Sequence, residues 1–118
     1  MKNSIVKVFE IIYNYKRKGG VIMKYGLSEG TYLKIKEIVE KYSNYKFKIF
    51  GSRARGDYKK NSDIDIAILN CTEDREKFKI RNDFDLLDIP YTIDVLFVEE
   101  ISKEELLKSI ERDGIIYE

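Results

Sequence analysis

The 118-residue chain has no histidine and one cysteine, Cys71. Without histidine there is no Ser-His-Asp or Cys-His nucleophile, no His-ligated zinc and no imidazole base. A lone cysteine closes no intrachain disulfide and builds no cysteine metal cluster, the usage expected of a cytoplasmic protein with a free thiol. Net charge is almost absent too, at +1, where a general nucleic-acid binder would want a basic surface. The apolar stretch Ile5-Val6-Lys7-Val8-Phe9-Glu10-Ile11-Ile12 is interrupted by Lys7 and Glu10. It is too short to span a membrane and lacks a signal-peptide core, so no membrane association is expected. The chemistry left open uses carboxylates, hydroxyls, lysines and arginines, with any metal held by oxygen.

Apolar residues at 43% and charged residues at 36% give the balance of a soluble globular protein. The length allows one domain with one modest core. Charge is unevenly spread: residues 1–60 carry fifteen Lys/Arg against five acids, and residues 61–118 seven against sixteen. A basic block beside an acidic block suits a site that holds an anion and a cation together.

Residues 4–16 carry Ile5, Val8, Phe9, Ile12 and Tyr15 at helical spacing, followed by the breaker Lys18-Gly19-Gly20. Ser28 is an N-cap for a second helix, with Leu27 stapled against Tyr32 and Ile35, Ile38, Val39 and Tyr42 facing the core. Residues 46–50 and 63–69 read as strands, the latter with Ile64, Ile66 and Ile68 on one face. Thr72 is expected to cap a helix over 73–87 whose core face is Ile80, Phe84 and Leu87, with acids in its first turn where the dipole favours them. Beyond Pro90, residues 91–98 form a third strand. Ser102 and Glu105 predict a capping box for a last helix, Ile101 and Leu106 a staple, and Gly114 its stop. Strands separated by helices make an α/β (α+β) fold, a small mixed sheet with helices packed on it.

Three features converge on one site. Gly51-Ser52-Arg53-Ala54-Arg55-Gly56 follows a strand directly. Its glycine permits a sharp turn and close backbone approach, the helix from Ser52 would aim free N–H groups at an anion, and Arg53, Arg55, Lys59 and Lys60 add positive charge. On its own, the same segment is also an ordinary helix cap. Asp63-Ile64-Asp65 places two carboxylates on one face of a strand, about 7 Å apart. Such a pair repels unless a cation lies between, and hard oxygen ligands select Mg²⁺ or Mn²⁺; the alternative is a solvated strand edge. Asp94, in Ile93-Asp94-Val95, repeats the pattern of Ile64-Asp65-Ile66 and would face Asp65 if the two strands are neighbours. It could equally be a charge at a strand end.

Gly51-Ser52, ten intervening residues, then Asp63-x-Asp65 resembles the signature of the DNA polymerase β-like nucleotidyltransferase superfamily. The wording Gly-Ser-Arg-Ala-Arg-Gly…Ser-Asp-Ile-Asp is closest to its minimal nucleotidyltransferase (MNT) branch. The resemblance covers roughly residues 28–117, including Asp94 and the Asp113-Gly114 helix end. It implies the polymerase β-like fold, with Gly51 and Ser52 holding a nucleoside triphosphate and Arg53 and Arg55 beside them. Asp63 and Asp65 would bind two Mg²⁺ ions, with Mn²⁺ as a substitute. Asp94 would share the catalytic ion and help deprotonate the attacking hydroxyl.

The same resemblance implies an antitoxin of HEPN/MNT toxin–antitoxin modules, which transfers AMP from ATP to a tyrosine of a HEPN ribonuclease toxin and needs no nucleic acid. An aminoglycoside-type nucleotidyltransferase is the enzymatic alternative, although 118 residues leave little room for its substrate-binding domain. A non-catalytic antitoxin that acts by contact alone is the other. Residues 23–118 are taken as the nucleotidyltransferase domain and 1–22 as a helical extension. Arg17-Lys18-Gly19-Gly20, two codons before Met23, also reads as a translated ribosome-binding site, which would put the natural start at Met23.

Overall fold

Four runs of β-branched and aromatic residues pair into one mixed sheet. They are Lys46–Phe50 (β1), Ile64–Leu69 (β2), Ile93–Phe97 (β3) and Ile115–Ile116 (β4), in the order β3-β2-β1-β4. The computed structural model describes residues 24–118; the helix expected over 4–16 and the extension 1–22 lie outside the described residues. β1 is antiparallel to both β2 and β4, whereas β2 and β3 are parallel. The helices are Glu29–Lys41 (α1), Ser52–Arg55 (α2), Asp74–Asp85 (α3) and Glu104–Asp113 (α4). The small mixed α/β fold expected from the pattern is the one observed.

Strand alternation divides the sheet into two faces. Phe47, Ile49, Ile64, Ile66, Ile68, Val95 and Phe97 are buried with Ile35 and Ile38 of α1 and Ile80 and Phe84 of α3. Ile64, Ile66 and Ile68 are fully enclosed, a burial that stabilises by about 1.5–3 kcal/mol per side chain. On the opposite face, Phe50 and Ala67 pack with Ile110 of α4, flanked by Leu96, Ile101 and Leu106. That cover is thinner, and it is the face on which Asp65 and Asp94 fall.

Ser28 caps α1 as expected, its hydroxyl accepting the Thr31 N–H at 3.4 Å. Two other caps differ. Glu73, not Thr72, precedes α3, and it makes no side-chain cap. Asn70 turns left-handed (φ +67) after β2 and drops Cys71 into the core, so the chain is still extended at Glu73. Likewise α4 starts after Lys103 without a side-chain cap, so the Ser102–Glu105 box does not form. A 3₁₀ turn at Val98–Glu100 ends the third strand early and leaves Ser102 one residue short of the N-cap position, which Lys103 occupies. That strand spans 93–97, not 91–98.

The chain after Gly114 holds an element that periodicity did not suggest. β4 is two residues long and pairs with Lys48 and Ile49. Behind it Tyr117 is buried, donates its hydroxyl to the Tyr32 carbonyl at 2.8 Å and stacks on the Tyr32 ring. Burial raises its phenol well above the ordinary tyrosine range.

Candidate active site

The strand directions bring one end of β1 beside the start of both β2 and β3. Phe50 is opposite Asp65 in the antiparallel ladder, and Asp65 is opposite Asp94 in the parallel one. The neighbouring strands that would set Asp65 against Asp94 are therefore present. Asp63 lies one residue before β2, exposed, and alternation puts it on the same side as Asp65.

Of the three, Asp65 is the most enclosed. Its carboxyl is pushed up to about 6, first by burial, then by the negative charges of Asp94 and Asp63, with Arg55 pulling the other way. Charge thus accumulates at this end of the sheet faster than the protein neutralises it. Among the described residues no three carboxylates or thiols are gathered closely enough to form a metal cage as they stand. The donor chemistry nevertheless suits a hard divalent ion, since all three groups offer oxygen.

Gly51 joins β1 to α2 with φ +72 and ψ −154, a backbone region open essentially to glycine. A Cβ there would stand 2.5 Å from Asp65 Oδ2. The glycine backbone is therefore laid directly against the central carboxylate. Its carbonyl accepts the N–H groups of Ala54 and Arg55, both at 3.1 Å, which closes the single turn of α2 on Ser52. Gly56 ends that turn at φ +93.

The two arginines of the turn have different fates. Arg55 is 41% exposed and pairs with Asp57 Oδ2 at 3.2 Å and Asp113 Oδ2 at 3.4 Å, tying the turn to the end of α4. Asp113 is held below the usual carboxylate range, by Arg112 first and by Arg55 as well. Arg53, expected beside the nucleotide, is only 2% exposed and faces inward. Its guanidinium donates to the carbonyls of Tyr25, Gly26, Lys60 and Ser62, and the rings of Tyr58 and Tyr91 lie against it. The structure thus brings Gly51, Ser52, Asp63, Asp65 and Asp94 to one end of the sheet and keeps Arg55 near them. It withdraws Arg53 from the surface they form.

Tyr91 and the Tyr25–Gly26 turn belong to this arrangement and were not picked out from the sequence. Nothing local marks them, because their role is defined by one buried side chain far away in the chain. Gly26 sits at φ +68, and its Cα faces the Tyr58 ring so closely that a Cβ would collide with it.

A family model described as polymerase beta, nucleotidyltransferase matches residues 33–118, a stretch that contains every residue named at this end of the sheet except Tyr25 and Gly26. Among solved structures, a toxin–antitoxin crystallised with AMP-PNP aligns with a TM-score of 0.53 and 19% identity, over 74% of this chain and 72% of that one. A Sulfolobus solfataricus protein, itself only provisionally assigned as a nucleotidyltransferase, aligns with a TM-score of 0.45 and 21% identity, over 98% of this chain and 86% of that one. No curated protein matches. At 19% identity, the first alignment establishes a shared fold.

Proposed function

The chain belongs to the polymerase beta nucleotidyltransferase family, and from that membership we propose that it transfers AMP from ATP to a tyrosine hydroxyl of a HEPN-type toxin in the cytoplasm. The observation that carries the reading is the placement of Gly51 against Asp65, with Asp94 in register beside it. A triphosphate-turn glycine and the acidic cluster are then one surface, as nucleotidyl transfer needs.

In this reading the backbone at Gly51–Ser52 receives the triphosphate and Arg55 offsets part of its charge. Asp63, Asp65 and Asp94 would hold two Mg²⁺ ions. When bound, these ions supply charge neutralisation at the α-phosphate and at the leaving pyrophosphate. Asp94, exposed at the start of the edge strand β3, takes the proton of the incoming hydroxyl. The hydroxyl oxygen bonds to the α-phosphorus, the bond to the β-phosphate bridging oxygen breaks, and pyrophosphate departs. Support for the toxin partner is the shared fold with the toxin–antitoxin structure that holds AMP-PNP. No described helix is long and apolar enough to cross a membrane.

The test incubates the protein with labelled ATP, Mg²⁺ and the product of the neighbouring gene, and maps the label by mass spectrometry. AMP on a partner tyrosine, lost with Asp65→Ala, is the expected outcome. Label found only on RNA or on a small hydroxyl compound overturns the proposal.

A further inference from the structure

Arg53 is the best-connected polar side chain described near the site, and it is almost wholly buried. Nε and Nη2 both donate to the Ser62 carbonyl, at 3.1 and 2.8 Å. Nη1 donates to the carbonyls of Tyr25 and Gly26, at 3.0 and 3.2 Å. Nη2 also reaches Lys60 O at 3.5 Å. The Tyr58 and Tyr91 ring centres lie 5.1 and 4.9 Å from the guanidinium carbon. A planar fork with five donors can satisfy this many carbonyls at once; an ammonium cannot.

Two of these contacts, Ser62 and Tyr91, sit a short step from a site residue. Arg53 itself follows Gly51-Ser52 in the same turn. Ser62 O belongs to the peptide that leads into Asp63. Tyr91 stands three residues before Asp94, and the next residue, Thr92, accepts the Ile64 N–H at 2.8 Å, which locks the starts of β2 and β3 together. The segment Lys59–Ser62 is further closed on itself by Lys59 N–H to Ser62 Oγ at 2.8 Å.

We propose that Arg53 is the positioning residue of this site: by gripping Ser62 and Tyr91 together it sets Asp63 and Asp94 relative to Asp65 and to the Gly51 turn, without contacting the nucleotide. The proposal rests on the nucleotidyl-transfer reading for its kinetic consequence but not for its structural one. A buried cation facing four carbonyls is fully used by the protein. A bound triphosphate would have to strip it from them, leaving part-buried carbonyls without their donor. Displacing carboxylates by an ångström costs rate far more than it costs nucleotide affinity.

The experiment compares wild type with Arg53→Lys, which keeps the charge, and with Tyr91→Leu, which keeps Arg53 and removes one ring. Steady-state rates are taken per folded molecule, and backbone amide spectra are recorded on metal-free protein. Arg53→Lys should lower kcat about a hundredfold while KM for ATP stays within about threefold. Tyr91→Leu should move in the same direction by less. In both, the Asp63 and Asp94 amides should shift while those at Lys46 and Phe47, the far end of β1, do not. A rise in KM at unchanged kcat makes Arg53 a nucleotide ligand and overturns the proposal. So does a lowered Tm with unchanged kcat and KM, which makes it a structural residue only. If the wild type transfers no nucleotide, the transfer reading has failed, and the amide shifts at Asp63 and Asp94 alone decide the positioning role.

Discussion

Replacing Gly51 by alanine separates two costs that the structure places on different observables. The first is backbone: at φ +72 and ψ −154 an L-residue is strained, by about 1–3 kcal/mol. The second is contact. The new Cβ would meet Asp65 Oδ2 at 2.5 Å but Asp65 Cγ and Cβ at 3.5 and 3.7 Å, both ordinary separations. Only the carboxylate oxygen is therefore in the way, and it can swing aside cheaply. The fold should bear the dihedral cost, and the reaction should bear the displaced carboxylate. Urea unfolding should lose about 1–3 kcal/mol with an unchanged m-value, since the surface exposed on unfolding is the same. Nucleotide transfer should fall about a hundredfold.

Gly56→Ala supplies the control. It too has a positive φ, +93 in the left-handed region, yet a Cβ there meets nothing within 4 Å. It should cost stability and leave transfer close to wild type. A Gly51→Ala protein within about 0.5 kcal/mol of wild type, the range of an ordinary surface change, would refute the backbone conformation assigned to this turn. Equal loss of transfer in the two variants would refute the argument from contact.

Asp65→Asn should stabilise the metal-free protein. Because the folded-state carboxyl is raised to about 6 from an ordinary value of 3.8, wild type gains stability as pH falls through that window and is penalised above it. Asp65 is only partly buried, so the gain at pH 8 should be about 1 kcal/mol after screening, vanishing below pH 4; equal Tm values at pH 8 contradict the burial and repulsion assigned to it. A chain starting at Met23 should unfold cooperatively, since Lys24 onward supplies the Tyr25–Gly26 carbonyls that Arg53 binds. Precipitation or a broad transition would place residues 1–22 in the core.

Much of the candidate site's geometry was legible in local order. The Gly51-Ser52 turn, the Asp63-x-Asp65 alternation, the Ser28 cap and the Ile64/Ile66/Ile68 face depend on residues within one turn or one pleat of each other. Chain stereochemistry alone commits them. What folding added depends on contacts between distant segments. The parallel pairing that sets Asp94 beside Asp65 needed a crossover through α3, and nothing in Ile93-Asp94-Val95 states which strand it will meet. Thr72 and Ser102 have the chemistry of caps, but a buried Cys71 and a 3₁₀ turn shifted both helix starts by one residue. β4 is too short for any period to reveal, and exists because β1 has a free edge and Tyr117 has a pocket against Tyr32. Arg53 makes the division sharpest. An arginine in a Gly-Ser-Arg turn looks like an anion ligand, because sequence records its charge and not the direction of its side chain. Four carbonyls and two tyrosine rings, contributed by three separate stretches of chain, turned it inward.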